Sequence, residues 1–582
     1  MTIESVNYLQ KSLPWMLPQS ECQARKNEMR FEASIRSRSG GFIPSVPQHI
    51  GYPHLGDPAP STLDDPSTYL YQISHSNTRS PSPETRGAVT GQEHDPKVRR
   101  YATPGSPTHF LPAVTIAGRS PRHLPSDHRY EAEHGNGGAF AAREFRAICP
   151  RAKFESIAKI GEKPGVECDE DCLGVNIWTP VENVDRAAGE KDTGTKQGWP
   201  VFLWLHGGWF QIGDPSQEAG MDPTELIATG GLQGIVVAIG YRLNIFGYLA
   251  RRELRDEDPD EGGVGNYGLW DVRCAMQWVR ENIGAFGGDP GNVTLAGRSA
   301  GAYSVHAHVL HECRKRKTFV DETVDGEPRP LEECQPRFQE VYSHCKIEDS
   351  LSGKDKLSAL RKISAEDLVA AIKQWKDHTF RPITDEDFIT SGMTEEFKSR
   401  GLRLLIGEMA HEESLDAVYN PPEANAESLY SQIANYYGAT MADRVVHLYE
   451  MPDSSDEKEW RALYGRIVSE GVRVQDVWRY QIAYRMSFID ENVAAWDWGV
   501  THAMDRPVWN FSIMHGPMDE ERVLMDEWIK DLVAFVNDDK GYVYGTTRVD
   551  EMKVMRPEKK IKVQKDGRWE ELLQLADHFS GK

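Results

Sequence analysis

The sequence predicts an α/β protein in which a mostly parallel central sheet is covered by helices on both faces. From about residue 140 onward, short apolar segments alternate with longer segments of helical periodicity. That alternation is typical of parallel strands joined by crossover helices. Two helical segments, at 269–283 and 524–536, carry a continuous apolar stripe. We interpret these stripes as faces that pack on the sheet.

The first 135 residues have a different composition. They contain 16 of the 34 prolines, mixed with serine, histidine and threonine, and include the clusters 80–83 and 104–107. Such segments are typical of loops or of disordered chain. We therefore predict a loop-rich or disordered N-terminal region at 1–135 and a folded domain at 136–582.

The pentapeptide Gly297-Arg298-Ser299-Ala300-Gly301 is the clearest candidate for a reactive site. It follows a short β-branched segment and precedes a segment with helical character at 303–310. A strand, a sharp turn flanked by glycines and a helix lift a serine hydroxyl above the edge of a sheet. Ser299 is therefore the candidate nucleophile.

A second turn, His206-Gly207-Gly208-Trp209, follows the apolar segment that begins at 201. Glycines allow backbone N–H groups to point toward one place, where they stabilise the negative oxygen of a tetrahedral intermediate. The candidate donors are the amides of Gly207, Gly208, Trp209 and, beside the serine, Ala300.

These motifs lie in a block that resembles the type-B carboxylesterases, which also include the cholinesterases and the non-enzymatic neuroligins. The segments that carry the resemblance are 170–180, 241–243, 246–249, 266–271 and 286–290. The resemblance implies the α/β-hydrolase fold and a serine-based hydrolysis of carboxylic esters. It also implies a triad in the chain order serine, acid, histidine.

The resemblance indicates where the acid and the histidine lie. After the apolar segment 404–407, the family pattern of a glycine, four residues and the acid selects Glu412. Most members have glycine at the next position, where this chain has Glu413, so Glu413 is the alternative. The segment 499–505 matches the family's G-x-x-H-x-x-D/E motif and selects His502.

A triad of Ser299, His502 and Glu412 would act through an acyl-enzyme. His502 would accept the proton of the serine hydroxyl during attack on the ester carbonyl, and Glu412 would hold the imidazole in the required tautomer. Water activated by the same histidine would then release the acyl group. This chemistry needs neither a metal ion nor an organic cofactor, and we expect none.

Two departures from the family bear on the substrate, which we expect to be a small-molecule ester. Trp209 stands where most members have a third glycine, and we expect its indole, with Phe210, to wall the substrate pocket. Arg298 stands where cholinesterases have a glutamate that helps to hold a cationic substrate. A positive charge there disfavours a choline ester and fits a neutral or anionic ester.

The overall composition argues against several functions. The chain has 67 basic and 89 acidic residues, a net charge of −22, which disfavours binding to nucleic acid or to anionic membrane surfaces. No apolar run approaches the length of a membrane span. The N-terminus shows no secretory signal, so we expect a cytoplasmic protein. Nothing in the sequence indicates an oligomeric state.

The chain has eight cysteines. The family resemblance implies a disulfide between Cys172 and an upstream cysteine, for which Cys149 is the candidate. Cys168 lies close to Cys172, but no second pair or histidine cluster accompanies them, so we predict no metal site.

One departure keeps other functions open. After the elbow helix, relatives have another buried strand, whereas 311–337 is polar here. A missing strand would leave sheet hydrogen bonds unpaired beside the site. A non-catalytic interaction protein of the neuroligin type is therefore one alternative, although all three triad positions are filled. An acyltransferase or a lactonase that uses the same triad is another.

Overall fold

The structure is a computed structural model, and only part of the chain is described. The described residues are 7–9, 70–72, 98–102, 147–151, 168–170, 172–180, 198–215, 222–257, 264–313, 330–334, 337–373, 380–390, 404–418, 420–470, 478–489, 495–511, 517–539 and 541–579.

These residues form one sheet of 11 strands, in the order β11-β10-β9-β8-β1-β7-β5-β6-β4-β3-β2. The strands are β1 (Asn7–Leu9), β2 (Leu70–Gln72), β3 (Val98–Ala102), β4 (Val175–Pro180), β5 (Trp199–Leu205), β6 (Ile235–Ile239), β7 (Gly288–Gly297), β8 (Leu404–Met409), β9 (Trp478–Ile482), β10 (Glu551–Arg556) and β11 (Lys560–Lys565). Strand β5 is parallel to both of its neighbours, β6 and β7. Strands β8, β9 and β10 form a second parallel run.

Helices cover the sheet. They are α1 (Thr224–Ala228), α2 (Asn244–Tyr248), α3 (Arg252–Glu257), α4 (Tyr267–Asn282), α5 (Ala300–Cys313), α6 (Leu331–Cys334), α7 (Arg337–His344), α8 (Gly353–Leu360), α9 (Ala365–Lys373), α10 (Glu412–Asp416), α11 (Ala426–Tyr437), α12 (Ala439–Val445), α13 (Glu457–Glu470), α14 (Arg506–Trp509), α15 (Asp519–Val536) and α16 (Trp569–Phe579). Both apolar stripes predicted from the sequence are confirmed as helices, α4 and α15. Among the described helices, none has the length and apolar character needed to cross a bilayer.

The core lies on both faces of the sheet. Alternate residues of β5 point to opposite sides, as the pleat requires. Val201 and Leu203 belong to the cluster that contains α4 and α5, whereas Phe202 and Trp204 belong to the cluster that contains α15. A third cluster joins Trp209 to helices α11, α12 and α13.

A buried ion pair ties the turn after β6 to helix α4. The Arg242 Nε donates to Asp271 Oδ2 at 2.7 Å and its Nη2 donates to Asp271 Oδ1 at 2.6 Å. The backbone N–H of Arg242 adds a third bond at 3.0 Å. Both side chains are buried, so the paired charges satisfy each other in place of water.

The sheet differs from the expected mostly parallel one, because it is mixed. Strand β4 is antiparallel to β6, and β10 is antiparallel to β11. Parallel pairing is confined to the two central runs and to the β2–β3 edge. Strand β10 is antiparallel to β11 because the short connection 557–559 reverses the chain direction. In the middle of the sheet, β1 is antiparallel to both of its neighbours.

The position beside the elbow strand is occupied by the N-terminal strand β1. It pairs antiparallel with β7, where Tyr8 lies opposite Leu295, and with β8, where Tyr8 lies opposite Leu404. A strand from a distant part of the sequence thus supplies backbone partners where we expected unpaired groups. Most of 1–135 and the segment 314–329 lie outside the described residues, so the predicted domain boundary stays a prediction.

Candidate active site

Ser299 occupies a sharp turn between β7 and α5. Its φ angle is +56°, in the left-handed region that residues with a side chain seldom adopt. A β-carbon on Gly301 would overlap the carbonyl oxygens of Leu205 and His206, and one on Gly297 would overlap the carbonyl group of Gly301. Glycine is therefore required at both ends of the turn, and the strained conformation of Ser299 is held between a strand and a helix.

The turn after β5 has an unusual backbone as well. Three successive residues have positive φ angles: +118° at Gly208, +54° at Trp209 and +65° at Phe210. The carbonyl oxygen of Gly208 accepts hydrogen bonds from the N–H groups of Gln211 at 2.8 Å and Ile212 at 2.9 Å. These bonds close the turn and hold successive N–H groups in a fixed orientation.

The two turns are neighbours. Leu205 at the end of β5 lies opposite Gly297 in the parallel pairing with β7. A β-carbon on Gly207 would lie 2.9 Å from the Ser299 β-carbon and 2.7 Å from the Arg298 carbonyl oxygen. The turn at 206–210 is thus packed directly against the serine, and the missing side chain at Gly207 is what permits the approach.

Glu412 and His502 form a buried hydrogen-bonded pair. The Nδ1 of His502 lies 2.7 Å from Oε2 of Glu412, across 90 residues of sequence. The other carboxylate oxygen accepts from the backbone N–H of Met409 at 2.7 Å. Both side chains are about 5% exposed. A buried carboxylate on one ring nitrogen fixes the imidazole tautomer and leaves the other nitrogen for proton transfer.

The adjacent Glu413 has a different environment. Its side chain is 42% exposed, and its Oε1 lies 3.3 Å from Nδ1 of His411, which is also exposed. The two glutamates that the sequence left as alternatives therefore face in different directions, and Glu412 is the one that contacts His502.

Two contacts that the sequence reasoning missed hold the acid and histidine segments together. The N–H of His411 donates to the carbonyl oxygen of Val500 at 2.9 Å. The N–H of Leu415 donates to the hydroxyl of Thr501 at 3.1 Å. A threonine immediately before the histidine was visible in the sequence, but only the folded chain identifies its partner.

The parallel strands bring these parts to one edge of the sheet. Strands β5 and β7 are parallel, and β1 is antiparallel to both β7 and β8, so β7 and β8 run in the same direction. The 206–210 turn, Ser299 and Glu412 each follow the carboxyl end of one of these strands. The carboxyl ends of parallel strands are where sites form in open α/β sheets.

The remaining predicted residues also have definite places. Phe210 is fully buried, with its ring 5.4 Å from that of Tyr303 on helix α5. Trp209 and Arg298 are largely buried, at 9% and 3% exposed.

Cys149 and Cys172 form a disulfide, as the family resemblance implied. In the part of the chain that the structure describes, no cluster of histidine, cysteine and acidic side chains is arranged to hold a metal ion.

Two other histidines near the serine lack the features of His502. His306 and His308 lie on helix α5, and burial lowers the pKa of His306 to about 4. Burial, followed by the charge of Arg273, lowers the pKa of His308 well below its usual range. Neither ring nitrogen of His308 has a hydrogen-bond partner within the described structure. Their lowered pKa values leave both imidazoles neutral at neutral pH.

The fold and the elbow together define an α/β-hydrolase. The sequence profile of the Carboxylesterase family matches residues 129–572. The chain belongs to the carboxylesterase family.

Individual relatives agree with this assignment. An uncharacterized esterase/lipase of Schizosaccharomyces pombe is 32% identical over 522 residues, which are 83% of this chain and 91% of that protein. A carboxylic ester hydrolase of Gibberella moniliformis is 30% identical over 84% of this chain and 93% of its own length. A para-nitrobenzyl esterase of Bacillus subtilis is 30% identical over 53% of this chain and 60% of its own. The family and these relatives support a carboxylic ester hydrolase.

Proposed function

We propose that this protein is a serine carboxylic ester hydrolase that forms an acyl-enzyme on Ser299. The observation that carries the proposal is the buried 2.7 Å hydrogen bond between His502 and Glu412. It lies at the same edge of the sheet as a serine with a φ angle of +56°. Such an acid–histidine pair beside an elbow serine is the arrangement of esterases with this architecture.

Each step uses groups of the chain, the ester and water. Nδ1 of His502 is occupied by Glu412, so Nε2 is the nitrogen that accepts the proton from the Ser299 hydroxyl. The serine oxygen attacks the ester carbonyl, and the alcohol departs with the proton that His502 returns. Water then attacks the acyl-enzyme, gives its proton to His502, and the acid is released as Ser299 regains a proton.

The negative oxygen of each tetrahedral intermediate would be stabilised by the N–H groups of Ala300 and of the turn Gly207-Gly208-Trp209. Positive φ angles through this turn, and its contact with Ser299, support that role. Loss of one such donor typically costs about 3 kcal/mol of transition-state stabilisation.

We propose a neutral or anionic ester as the substrate, and not a choline ester. Arg298 precedes the nucleophile, and a cationic head group near this guanidinium would be repelled. Trp209 and Phe210 follow the glycines of the turn, and their aromatic rings would limit the bulk accepted near the scissile carbonyl.

The test is covalent labelling and turnover of an activated ester. We expect a fluorophosphonate probe to label Ser299, and 4-nitrophenyl esters of short acids to be hydrolysed. Ser299→Ala should abolish labelling and lower kcat/KM by about 10⁴-fold or more. If the wild-type protein is neither labelled nor active, the non-catalytic alternative is correct. Product analysis with added alcohol distinguishes hydrolysis from acyl transfer.

A further inference from the structure

Arg381 lies beside the turn that we assign to oxyanion stabilisation. It belongs to the loop 380–390, which is fastened to that turn by Gln211. The Nε2 of Gln211 donates to the carbonyl oxygen of Phe380 and, at 3.2 Å, to the carbonyl oxygen of Trp209. The sequence pattern gave no reason to single out Arg381, because its neighbours in the folded chain come from distant segments.

The Arg381 guanidinium lies near two aromatic rings. Its central carbon lies 3.9 Å from the ring centroid of Tyr436 and 5.9 Å from that of Phe210. The Phe210 ring in turn packs against Tyr303. Tyr303 donates its N–H to the carbonyl oxygen of Ser299 at 2.9 Å. The positive charge is therefore separated from the nucleophile segment by only two aromatic side chains.

This charge has no acidic counterpart in the described structure. The Nη1 of Arg381 is hidden from solvent and has no hydrogen-bond partner among the described residues, although part of the side chain remains exposed. Burial acts to lower the pKa of Arg381, but the neighbouring phenols of Tyr436 and Tyr303, together with a side-chain hydrogen bond to Tyr436, outweigh it and raise the pKa. The guanidinium is therefore charged at neutral pH, as arginine ordinarily is.

A buried hydrogen-bond donor that has no acceptor lowers the stability of the folded protein, whereas one that has an acceptor costs little. Arg242 shows the difference, because its guanidinium is fully buried and makes two hydrogen bonds to Asp271. Cation–π contacts with Tyr436 and Phe210 offset only part of the lost hydration of Arg381. An anion that enters from the exposed side would supply the missing hydrogen-bond acceptor.

We propose that Arg381 binds a carboxylate carried by the ester substrate, so that the protein prefers monoanionic esters. The inference rests on the proposed esterase function and narrows its substrate class. A guanidinium donates two parallel hydrogen bonds to a carboxylate, and a single cation matches a single negative charge. The carboxylate belongs either to the acyl part or to the alcohol part of the substrate, and both have the same chemistry at Arg381.

Matched pairs of esters test the preference. Monobutyl adipate and butyl hexanoate differ by a carboxylate on the acyl side. The butyrate ester of 3-hydroxybenzoate and phenyl butyrate differ by one on the alcohol side. We expect the wild-type protein to have the higher kcat/KM for the anionic member of one pair, and that pair identifies the side of the ester that Arg381 contacts.

The variant is Arg381→Met, which removes the charge and keeps an apolar stem against the rings. We expect kcat/KM for the preferred anionic ester to fall about 10- to 100-fold, mainly through KM, while the neutral partner changes less than about threefold. The control is Arg466→Met, because Arg466 also lies near a tyrosine ring, 5.5 Å from that of Tyr449, but pairs with Glu571. Arg466→Met should leave kcat/KM unchanged for both members of each ester pair.

A binding measurement separates this inference from the esterase proposal. Calorimetry with the Ser299→Ala variant should show binding of either monobutyl adipate or the butyrate ester of 3-hydroxybenzoate. Adding Arg381→Met to that variant should abolish the binding. If Ser299 is labelled and active but Arg381→Met affects anionic and neutral esters equally, the carboxylate site is wrong and the esterase proposal stands. If Ser299 is inert, Arg381-dependent binding supports the site by itself, and binding that ignores Arg381 overturns it.

Discussion

Residues 199–313 and residues 404–511 both contribute to the candidate site, but they are organised by different interactions. In the first region, the turn at 206–210 and Ser299 owe their shapes to backbone conformation and to glycines that allow close contact. In the second, Glu412 and His502 lie 90 residues apart and meet through a side-chain hydrogen bond. The first region depends on backbone shape and close backbone packing, and the second depends on a contact between two side chains.

The difference shows in the consequences of substitution. A change at an elbow glycine forces backbone atoms apart, so it should affect stability together with activity. A change at the carboxylate leaves the backbone where it is, so it should affect activity with little effect on stability. Two measurements test whether the two regions respond in these two ways, and a third concerns the loop 380–390 between them in the chain.

The largest effect should come from the second region. Glu412→Gln removes the charge that holds the His502 tautomer and stabilises its protonated form, so we expect kcat/KM for a 4-nitrophenyl ester to fall about 10³- to 10⁴-fold. Glu413→Gln is the matched control, because that side chain is 42% exposed and contacts His411. It should retain activity within about twofold. The reverse order of the two variants would transfer the acidic role to Glu413.

In the first region, Gly301→Ala should lower the free energy of unfolding by about 3 kcal/mol or more, because the new methyl group would overlap backbone oxygens of β5 and the residue after it. Gly284→Ala is the control, since no atom lies within 4 Å of a β-carbon at that position. Urea unfolding of both variants measures the difference. Equal stability of the two would mean that the elbow tolerates a side chain and is not held by close packing.

The smallest effect concerns Asp385, on the loop that carries Arg381. Its side chain is 3% exposed, and burial raises the pKa to about 6, against the opposing effect of backbone hydrogen bonds such as that from Ile389. The unfolded chain ionises near pH 3.9, so the folded state loses stability as the pH rises from about 4 to 6 and the loss levels off above that.

The free energy of unfolding should fall by about 2–3 kcal/mol over this pH range because of Asp385. This fall is measured as the difference in unfolding free energy between the wild-type protein and Asp385→Asn at pH 4, 5, 6 and 7. The exposed neighbour Asp387 provides the control variant, Asp387→Asn. A difference that does not change with pH would show that Asp385 is ionised throughout.

The local elements could be predicted from sequence because their signals are short-range. The strand before the elbow and the helix after it are β7 and α5, and the apolar stripes are α4 and α15. The mixed pairing of the sheet could not be predicted, because the direction of a strand depends on how its connection crosses the fold. The insertion of β1 between β7 and β8 is the clearest case, since its partners are hundreds of residues away.

By itself, the sequence determined the family, the elbow around Ser299 and the glycine turn, because each depends on residues that are adjacent in the chain and on backbone shapes that few residues allow. Only the tertiary structure shows that Glu412, and not Glu413, is hydrogen-bonded to His502, and only it reveals Arg381 beside Phe210 and Tyr436. The physical reason is that burial and hydrogen bonding between distant segments are properties of the packed chain. Two neighbouring glutamates are chemically identical until packing leaves one of them in water and places the other against a histidine.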